Sequence, residues 1–391
     1  MISEDEARNR ILEAVGPRPE RKVLLSDALN FFSACDVVAR LPLPMFDNSS
    51  MDGYAVVARS SGKGTRLKVI GEQPAGADRQ LRISPGETAR IFTGATIPAG
   101  ADAVVMQEDV TREGDQIVVN VDIDSGEFIR RCGCDLAEGQ KILLRGERIR
   151  ATTIALLSSQ GFTDVTIGGE VNAAIISTGD EVVTPGTELH RGQIYDSNSA
   201  LLKAALQRCG ASVKSAEHCP DQHEPLIKAI QRGIQNHILV ITGGVSVGEH
   251  DLVQATLRSL GVTIDIWRVA IKPGKPFLFG QASGCAVFGL PGNPVSAFVT
   301  FLQFVRPAIL KMMGANNIDL RKVPAKLTVD LTNEGDRLHY VRGRIEDGTF
   351  TPIGRQESHA LFGLSQSNAL LRVAVGESLK SGAIVDVQIW D

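Results

Sequence analysis

The stretch from residue 171 to residue 313 constrains the fold most, because short apolar runs alternate there with amphipathic segments. Six runs have the length and composition of strands: 171–176, 212–217, 237–241, 262–269, 276–279 and 285–289. Four segments have helical spacing: 196–208, 223–234, 251–260 and 293–313. The candidate N-caps of the first helix are Asp196, Ser197 and Asn198. Such alternation is typical of a mostly parallel, doubly wound sheet, so an α/β domain is predicted over 171–317.

The flanking sequence predicts further domains. Residues 1–45 and 140–170 are expected to form a helical linking domain, with apolar residues at helical spacing through 28–38. Residues 46–139 contain short strand-like runs broken by Gly, Pro and Asp, which predict a β-rich domain. Residues 318–391 return to short strands with glycine turns and predict a small C-terminal β domain. The 391-residue chain is long enough for this multidomain organisation.

Composition excludes several classes of function. The net charge is −4 and dense runs of lysine and arginine are absent from the sequence, so we expect no nucleic-acid partner. The N-terminus lacks the apolar core of a signal peptide, and no apolar stretch is expected to span a membrane. Six scattered cysteines without a secretory signal favour free thiols in a reducing compartment. A cytoplasmic protein is therefore predicted.

Two glycine-rich segments follow predicted strands, at 242–248 and 289–293. Glycine permits positive φ and close backbone approach, so several N–H groups can converge on one phosphate. The alternative for each segment is a tight turn between a strand and a helix, and Asn293 is the expected N-cap of the second helix. Phosphate binding is favoured because polar residues accompany the glycines. The candidate binding residues are Gly243, Gly244, Ser246, Gly248, Gly292 and Asn293.

The segment Lys272-Pro273-Gly274-Lys275 fits a type II turn, with proline second and glycine third. Such a turn brings its ends within about 7 Å of each other. Two ammonium groups at that separation repel each other unless an anion lies between them. The alternative is a pair of solvated surface lysines, but the flanking residues, including Pro276, are apolar. The segment therefore predicts a phosphate or oxyanion site at Lys272, Lys275 and Pro276.

Acidic residues follow the same strands. Asp180 and Glu181 come after the first predicted strand, and Asp221 and Asp251 lie at later strand or helix ends. The carboxyl ends of parallel strands meet at one edge of a sheet, where Mg²⁺ can bridge carboxylate and phosphate oxygens. Each acid taken alone is more typical of a helix cap. Their joint position with the glycine segments predicts a Mg²⁺ site at Glu181, Asp221 and Asp251.

Three polar residues of the β-rich half stand beside or near glycines. Asp52 and Thr93 each precede a glycine, and Asp135 lies two residues after one. Local physical chemistry predicts only turn residues at these positions. Cys132 and Cys134, next to Asp135, lack the spacing of a metal site, and inert thiols are the favoured interpretation.

Eight segments together resemble signatures of the molybdopterin molybdenumtransferase family, which includes bacterial MoeA and the E domain of gephyrin. In chain order they are MDGYAV (51–56), QPAGAD (73–78), FTGATIPAGADAVV (92–105), STGDEV (177–182), IYDSN (194–198), TGGVSVGEHD (242–251), IKPGKP (271–276) and GLPGNPVSAF (289–298). Each segment alone is modestly specific. Together they cover both halves of the chain in the family's order, so the resemblance extends to the whole sequence.

The resemblance implies an L-shaped, four-domain homodimer, with an active site between the α/β domain of one subunit and the β-rich parts of the other. It implies that adenylylated molybdopterin and molybdate react with release of AMP, which leaves molybdenum on the dithiolene sulfurs, and that Mg²⁺ is required. It also implies contact with molybdopterin adenylyltransferase, an enzyme that the α/β domain resembles.

The resemblance also implies roles for individual residues. Catalysis is expected of six residues: Asp52, Thr93, Asp135, Glu181, Asp221 and Asp251. Substrate binding is expected of Asp180 and of the glycine and lysine segments. Arg342 and Ser358 resemble the pair that holds molybdate, and they complete the expected substrate-binding set.

Three alternatives remain open at the level of sequence. The chain could adenylylate molybdopterin from ATP, which is the preceding step, although the β-rich halves argue against it. It could be a non-catalytic scaffold, since the E domain of gephyrin also binds receptor loops, although the acidic and lysine positions are intact. It could insert tungsten, because tungstate and molybdate are too similar for sequence to distinguish.

Overall fold

The computed structural model describes residues 1–244 and 252–390, and the chain divides into two compact units. The larger unit contains Met1–Cys35, Arg145–Ile154 and Thr163–Asp391. The smaller unit contains Asp36–Leu144 and Ala155–Phe162. The chain therefore leaves the larger unit twice and returns to it twice.

The larger unit contains a six-stranded sheet in which five strands point one way and one points the other. Across the sheet the strands are Ser212–Cys219, Asn172–Thr178, Ile238–Thr242, Cys285–Leu290, Leu278–Ala282 and Thr263–Trp267. The strand Leu278–Ala282 runs antiparallel to both of its neighbours. The predicted mostly parallel sheet is therefore confirmed.

Helices cover both faces of this sheet, because successive residues of a strand point to opposite sides. In the strand Ile238–Thr242, Val240 belongs to the apolar cluster of one face and Leu239 to that of the other. The helices of the first face are Ser197–Cys209, Pro294–Thr300 and Arg306–Met312, and those of the second are His223–Gly233 and Leu252–Ser259. This is the doubly wound arrangement that the sequence predicts.

The segment Pro294–Met312 is one helical rod, in which a π-helical turn, Phe301–Val305, joins two α-helical parts. Within the described residues it is long and apolar enough to cross a membrane, which corrects the expectation that no stretch would be. Its most apolar window is, however, 89% buried inside the protein. Burial on all sides is typical of a core helix, which is apolar around its whole circumference.

Five strands of the C-terminal part close into a barrel. Around the barrel they are Leu338–Glu346, Thr349–Pro352, Arg321–Leu327, Ile384–Ile389 and Ala369–Val373, and the last pairs again with the first. A further strand, Ile271–Lys272, comes from the α/β part and pairs in parallel with Leu338–Glu346. The short helix Leu361–Ser365 precedes the strand Ala369–Val373. The predicted C-terminal β domain is confirmed as a barrel that takes one strand from the preceding part of the chain.

The N-terminal region contains the helix Glu4–Ala14. Residues 28–38, expected to be helical, instead form turns and short strand contacts. Asn30 has a φ of +69°, which a helix does not allow, and Ser33 bridges to Ile167. The helix prediction for 28–38 is therefore wrong, because pairing with distant residues overrides the local apolar spacing.

Shorter elements complete the description of the larger unit. Its two-stranded pairs, among the described residues, are Arg21–Leu24 with Asp164–Ile167, Val182–Val183 with Ile194–Tyr195, and Leu331–Thr332 with Ser378–Leu379. One turn of 3₁₀-helix, Leu25–Asp27, follows the first of these strands.

The smaller unit is built on a six-stranded sheet of mixed direction. Across the sheet the strands are Ala103–Met106, Gly53–Val56, Glu87–Ile91, Arg66–Gln73, Gln116–Val119 and Val110–Glu113. Its two-stranded pairs are Asn48–Ser49 with Ile129–Arg130 and Val37–Val38 with Lys141–Leu143. Its 3₁₀-helices are Ala58–Ser60 and Gln107–Asp109. The helix Ala151–Ser159 begins in the larger unit and ends in the smaller.

Candidate functional site

A pocket of about 1020 Å³ opens at the carboxyl ends of parallel strands in the larger unit. Residues that follow the strands Asn172–Thr178, Ile238–Thr242 and Cys285–Leu290 line it, together with residues 272–276 and 356–359. Ligands of open α/β sheets bind outside the carboxyl ends of the strands. The pocket is therefore the candidate site, and both the α/β part and the C-terminal part contribute to it.

The glycines that follow the strand Ile238–Thr242 are required by their surroundings. Gly243 has a φ of +87° and Gly244 a φ of +60°, a region that favours glycine. A Cβ at Gly243 would lie 2.2 Å from the backbone oxygen of Thr178, and one at Gly244 would lie 2.6 Å from its hydroxyl oxygen. Only glycine lets this loop approach the neighbouring strand so closely. Two predicted binding residues of the segment lie outside the described residues: Ser246 and Gly248.

Asn198 connects the ends of two strands at the pocket. It is 8% exposed, and its amide nitrogen donates to the Thr242 hydroxyl at 2.9 Å and to the Gly292 carbonyl at 2.7 Å. Thr242 donates in turn to the Pro291 carbonyl at 3.1 Å. Asn198 is one of the three N-cap candidates in the sequence, but the cap of the helix is Asp196. Its side chain instead fixes the two loops relative to each other.

Lys272 and Lys275 are exposed and line the pocket, as does Pro276. Neither ammonium group forms an ion pair with a residue that the structure describes. The predicted type II turn is wrong, because the Lys272–Pro273 peptide bond is cis and Gly274 has a φ of +124°. The pocket therefore presents two ammonium groups that no described carboxylate contacts directly.

Glu181 and Asp221 line the pocket from the ends of two paired strands. Asp180 is not a lining residue, but its carboxylate accepts a hydrogen bond from the backbone N–H of Asp221 at 3.1 Å. The absence of a side chain at Gly179 leaves space for Glu181, since a Cβ at Gly179 would lie 2.8 Å from a carboxylate oxygen of Glu181. Asp251, the third expected metal ligand, lies outside the described residues. Within those residues, His, Cys, Asp and Glu form no group of three suited to a metal ion.

Asn293 and Ser358 join the α/β part to the C-terminal part, and both line the pocket. The Nδ2 of Asn293 donates to the Ser358 Oγ at 2.8 Å. Asn293 occupies the expected N-cap position of the helix that begins at Pro294, but its side chain makes no capping hydrogen bond. The backbone carbonyl of Ser358 instead accepts from the Val295 N–H at 3.1 Å. The pair therefore links two parts of the chain at the pocket.

Arg342 is 1% exposed and lies behind the lining residues Gln356 and Glu357. Its backbone N–H donates to the Gln356 amide oxygen at 3.0 Å, and its Nη1 donates to the Glu357 carbonyl at 3.3 Å. Its Nε and Nη2 have no hydrogen-bond partner among the described residues. Burial lowers the pKa of the guanidinium, and the negative charge of Glu357 opposes that effect. Arg342 is not a lining residue, and its two unpaired donors are buried next to Gly363, so of the predicted molybdate pair only Ser358 lines the pocket.

In the smaller unit, the structure brings Asp52 and Thr93 together. The Asp52 carboxylate accepts from the Thr93 backbone N–H at 2.8 Å and from its hydroxyl at 2.9 Å. These two hydrogen bonds hold the pKa of Asp52 below its usual value, so the group is ionised at neutral pH. Asp135 is not part of these two hydrogen bonds, and its backbone N–H donates to the Leu43 carbonyl at 2.9 Å. Asp52 and Thr93 are 41 residues apart, so no local pattern reveals their contact.

The loop that carries Cys132 and Cys134 is held by Asp47. The Asp47 carboxylate accepts from the Cys132 backbone N–H at 2.7 Å and from the Arg131 guanidinium at 2.7 Å. These contacts lower the pKa of Asp47, the backbone bond most strongly. Both cysteines are exposed free thiols.

Several polar residues that line the pocket escaped the sequence analysis. Arg337, Gln356 and Glu357 come from the C-terminal part, and Tyr195 comes from the segment IYDSN. That segment is one of the family signatures, so the resemblance could have identified Tyr195 as a candidate site residue. For Arg337 no signal existed, because an arginine before a strand is ordinary in a soluble protein.

Comparisons with known proteins cover the whole chain. The family model of the MoeA N-terminal region (domain I and II) matches residues 2–161, that of a probable molybdopterin binding domain matches 174–311, and that of the MoeA C-terminal region (domain IV) matches 324–390. A molybdopterin molybdenumtransferase of Haemophilus influenzae is 36% identical over 382 residues, which cover 95% of this chain and 94% of the relative. The chain belongs to the molybdopterin molybdenumtransferase family.

Other molybdopterin molybdenumtransferases agree with this assignment. The molybdopterin molybdenumtransferase 2 of Mycobacterium tuberculosis is 33% identical over 382 residues, which cover 94% of each chain. The crystal structure of a molybdopterin biosynthesis MoeA protein from Pyrococcus horikoshii matches with a TM-score of 0.80 at 30% identity, and the match covers 100% of both chains. The multidomain α/β fold predicted from the sequence is therefore confirmed along its whole length.

Proposed function

We propose that this chain inserts molybdenum from molybdate into adenylylated molybdopterin and releases AMP. Membership of the molybdopterin molybdenumtransferase family supports a transferase of molybdenum cofactor biosynthesis. The observation that carries the proposal is the pocket, where a glycine loop, two exposed lysines and four carboxylates line one cavity. A substrate with phosphates, a metal oxyanion and a divalent cation matches this combination of groups.

The glycine loop at Gly243 and Gly244 and the lysines Lys272 and Lys275 are suited to the pyrophosphate of the substrate. Hydrolysis of one P–O bond of the phosphoanhydride bridge, with water as the nucleophile, separates AMP from the molybdopterin phosphate. Positioning and electrostatic stabilisation dominate such reactions, and fixed N–H and ammonium groups supply both. The proposal includes no covalent intermediate with a side chain.

Mg²⁺ is part of the proposal, and Glu181 and Asp221 fit it. In nucleotide sites Mg²⁺ takes one or two carboxylates and completes its octahedral shell with waters and substrate phosphates. Four carboxylates line the pocket, and of these Glu181 and Asp221 follow neighbouring strands and do not cap a helix; the others are Asp196 and Glu357. The ion would offset negative charge on the phosphates when bound. Asp251, outside the described residues, is the proposed further ligand.

Arg342 and Ser358 are proposed to hold molybdate. For Arg342 this rests on the resemblance, because the residue does not line the pocket and its unpaired Nε and Nη2 are buried next to Gly363. The Ser358 hydroxyl accepts from Asn293, which leaves its own proton available for donation. Asp52, whose carboxylate is fixed by Thr93, and Asp135 are proposed as further residues needed for activity, on the resemblance alone.

We also propose a cytoplasmic homodimer that contacts molybdopterin adenylyltransferase, again on the resemblance. One feature of the smaller unit supports a subunit contact, because several large apolar side chains are exposed within one short segment. The apolar residues exposed between positions 38 and 51 are Val38, Leu41, Met45, Phe46 and Met51.

The proposed function is tested by AMP release from adenylylated molybdopterin, with purified protein, Mg²⁺, and molybdate present or absent. We expect molybdate to stimulate AMP release, the product to activate an apo-molybdoenzyme, and chelation of divalent cations to abolish release. ATP-dependent adenylylation of molybdopterin without AMP release would assign the preceding step instead. If the protein showed neither activity, the scaffold alternative would be favoured. Stronger stimulation by tungstate than by molybdate would identify tungsten as the metal that is inserted.

A further inference from the structure

In the smaller unit, Arg90 lies beside both chain segments that form the contact between Asp52 and Thr93. Arg90 belongs to the strand Glu87–Ile91 and precedes Thr93 by three residues. Its partner on the neighbouring antiparallel strand is Tyr54, which follows Asp52 by two residues. The pairing of these two strands therefore brings one arginine close to both members of a contact that is distant in sequence.

Two aromatic rings hold the guanidinium of Arg90. Its central carbon lies 5.1 Å from the ring centroid of Tyr54 and 5.4 Å from that of Phe92. A cation over an aromatic face within about 6 Å is attracted by the quadrupole of the ring. Tyr54 is 6% exposed and belongs to the apolar core of the unit, so it provides a fixed support. Phe92 directly precedes Thr93, so its contact with Arg90 restrains the chain next to the hydroxyl donor.

A third contact of Arg90 leads to the backbone of Asp52. The Nη2 of Arg90 donates a hydrogen bond to the side-chain oxygen of Gln107. The backbone N–H of Gln107 donates in turn to the Asp52 carbonyl at 3.1 Å. Gln107 therefore connects the arginine to the main chain of the acid, so Arg90 restrains both members of the pair through their neighbours.

The Asp52 carboxylate is held through one of its two oxygens. Both hydrogen bonds from Thr93 end on Oδ1, and no described residue donates to Oδ2. The two bonds from Thr93 lower the pKa of Asp52 most, and the positive charge of Arg90 lowers it further. The exposed Oδ2 thus offers an ionised, oriented oxygen to solvent or substrate. The rate of a reaction that uses such an oxygen depends steeply on its position.

We propose that Arg90 is a positioning residue, which holds Asp52 and Thr93 in the geometry that activity requires. It acts through the two aromatic rings and Gln107, and none of the described hydrogen bonds joins it to either member of the pair. Loss of the guanidinium should therefore loosen the pair and leave both of its functional groups in place. The inference rests on the proposed function for the reaction in which Asp52 takes part.

The kinetic test measures kcat and KM for AMP release from adenylylated molybdopterin by the full-length protein, with Mg²⁺ and molybdate. We expect Arg90→Ala to lower kcat about tenfold or more and to change KM less than about twofold, because the binding groups of the pocket remain. Arg90→Lys keeps a cation over the rings and should recover part of kcat. A raised KM with unchanged kcat would overturn the inference, because Arg90 would then bind substrate.

A double-mutant cycle shows whether Arg90 acts through Asp52. When Asp52→Asn is already present, we expect Arg90→Ala to lower kcat by less than about a further twofold. The same large loss in both backgrounds would contradict action through Asp52. Arg66→Ala is the matched control, because it removes an exposed arginine of the same sheet that pairs with Glu113, and it should leave kcat unchanged.

Amide hydrogen exchange tests the positioning role without turnover. The Thr93 N–H donates to Asp52, so its exchange rate reports how often that hydrogen bond opens. We expect Arg90→Ala to raise this rate about tenfold or more and to leave the amides of the strand Gly53–Val56 unchanged. An equal increase along that strand would show a general loss of stability instead. Such an increase, or an unchanged rate at Thr93, would overturn the inference.

The two proposals fail separately, because hydrogen exchange does not depend on the reaction. A wild-type protein that released no AMP would refute the proposed reaction, and faster exchange at Thr93 in Arg90→Ala would still support the positioning role. If AMP release and exchange at Thr93 were both unchanged in Arg90→Ala, the positioning role would be refuted and the proposed reaction would stand.

Discussion

At the scale of single residues, the pKa of His339 reflects both its burial and the positive charges near the pocket. Its Nε2 is buried and has no hydrogen-bond partner among the described residues. Burial is the main cause of its lowered pKa, of about 4, and Lys272, Arg337 and Arg342 add to it. The imidazole is therefore neutral at physiological pH, where Lys272, Arg337 and Arg342 are positively charged.

This pKa predicts how stability depends on pH. In the unfolded chain a histidine has a pKa near 6.5, whereas His339 in the folded protein has a pKa of about 4. Between these two values the unfolded state therefore binds one more proton than the folded state. Stability should fall as pH is lowered from 6.5 to 4, and His339 should have no effect above that window. We expect His339→Gln to remove part of the loss, on the order of 1–2 kcal/mol once partial exposure is discounted.

Urea unfolding of wild type and His339→Gln at pH 7.5, 5.5 and 4.5 would measure this difference. His190→Gln, a change of an exposed histidine, is the control and should follow the wild-type curve. Parallel pH profiles for wild type and His339→Gln would contradict the assignment.

At the scale of elements, the helix Ser197–Cys209 is fixed to the sheet by its cap. Asp196 is 9% exposed, and its carboxylate accepts from the Ser199 N–H at 2.9 Å and from the Ser177 hydroxyl at 2.6 Å. Ser177 belongs to the neighbouring strand and lines the pocket. One carboxylate thus caps a helix and anchors it at the site.

Asp196→Ala should therefore cost more than the loss of an ordinary cap. A cap is worth about 1 kcal/mol, and the buried Ser177 hydroxyl would lose its acceptor, so we expect a loss of about 2–3 kcal/mol in unfolding free energy. Gln222→Ala is the matched control, because Gln222 holds the N-cap position of the helix His223–Gly233 without a capping bond. A loss below about 0.5 kcal/mol for both variants would refute the anchoring role.

The elements also show what the sequence can reveal. The central strands of the α/β part were predictable because they are apolar runs buried on both faces, as in Ile238–Thr242 and Cys285–Leu290. The segment 28–38 was not, because contacts with distant residues decide its conformation. The glycine and lysine residues of the site follow from local chemistry, whereas the contact between Asp52 and Thr93 and the burial of Arg342 arise only from the tertiary fold.

At the scale of the molecule, the N-terminal helix is joined to the C-terminal barrel by a buried acid. Glu4 is 9% exposed and accepts hydrogen bonds from the hydroxyl of Tyr340 and, at 3.1 Å, from the Nε of Arg372. Burial, and then the charge of Glu4, raise the pKa of Tyr340, so its phenol stays protonated. The two ends of the larger unit are thus held together by one small network.

Glu4→Ala should leave the buried Tyr340 hydroxyl without its acceptor. We expect the free energy of unfolding to fall by about 2–4 kcal/mol. Glu6→Ala, in the same helical turn, removes an exposed pair with Arg10 and should change stability by less than about 0.5 kcal/mol. Equal effects of the two changes in thermal or urea unfolding would show that the network adds nothing.

The strand Ile271–Lys272 has a consequence for how such proteins can be recombined. It belongs in sequence to the α/β part, but it pairs with the barrel strand Leu338–Glu346 and carries one of the pocket lysines. A chimera that exchanged only the barrel with that of a relative would replace the partner of this strand and reset the position of the lysine. The α/β part and the barrel should therefore be exchanged together in any functional chimera.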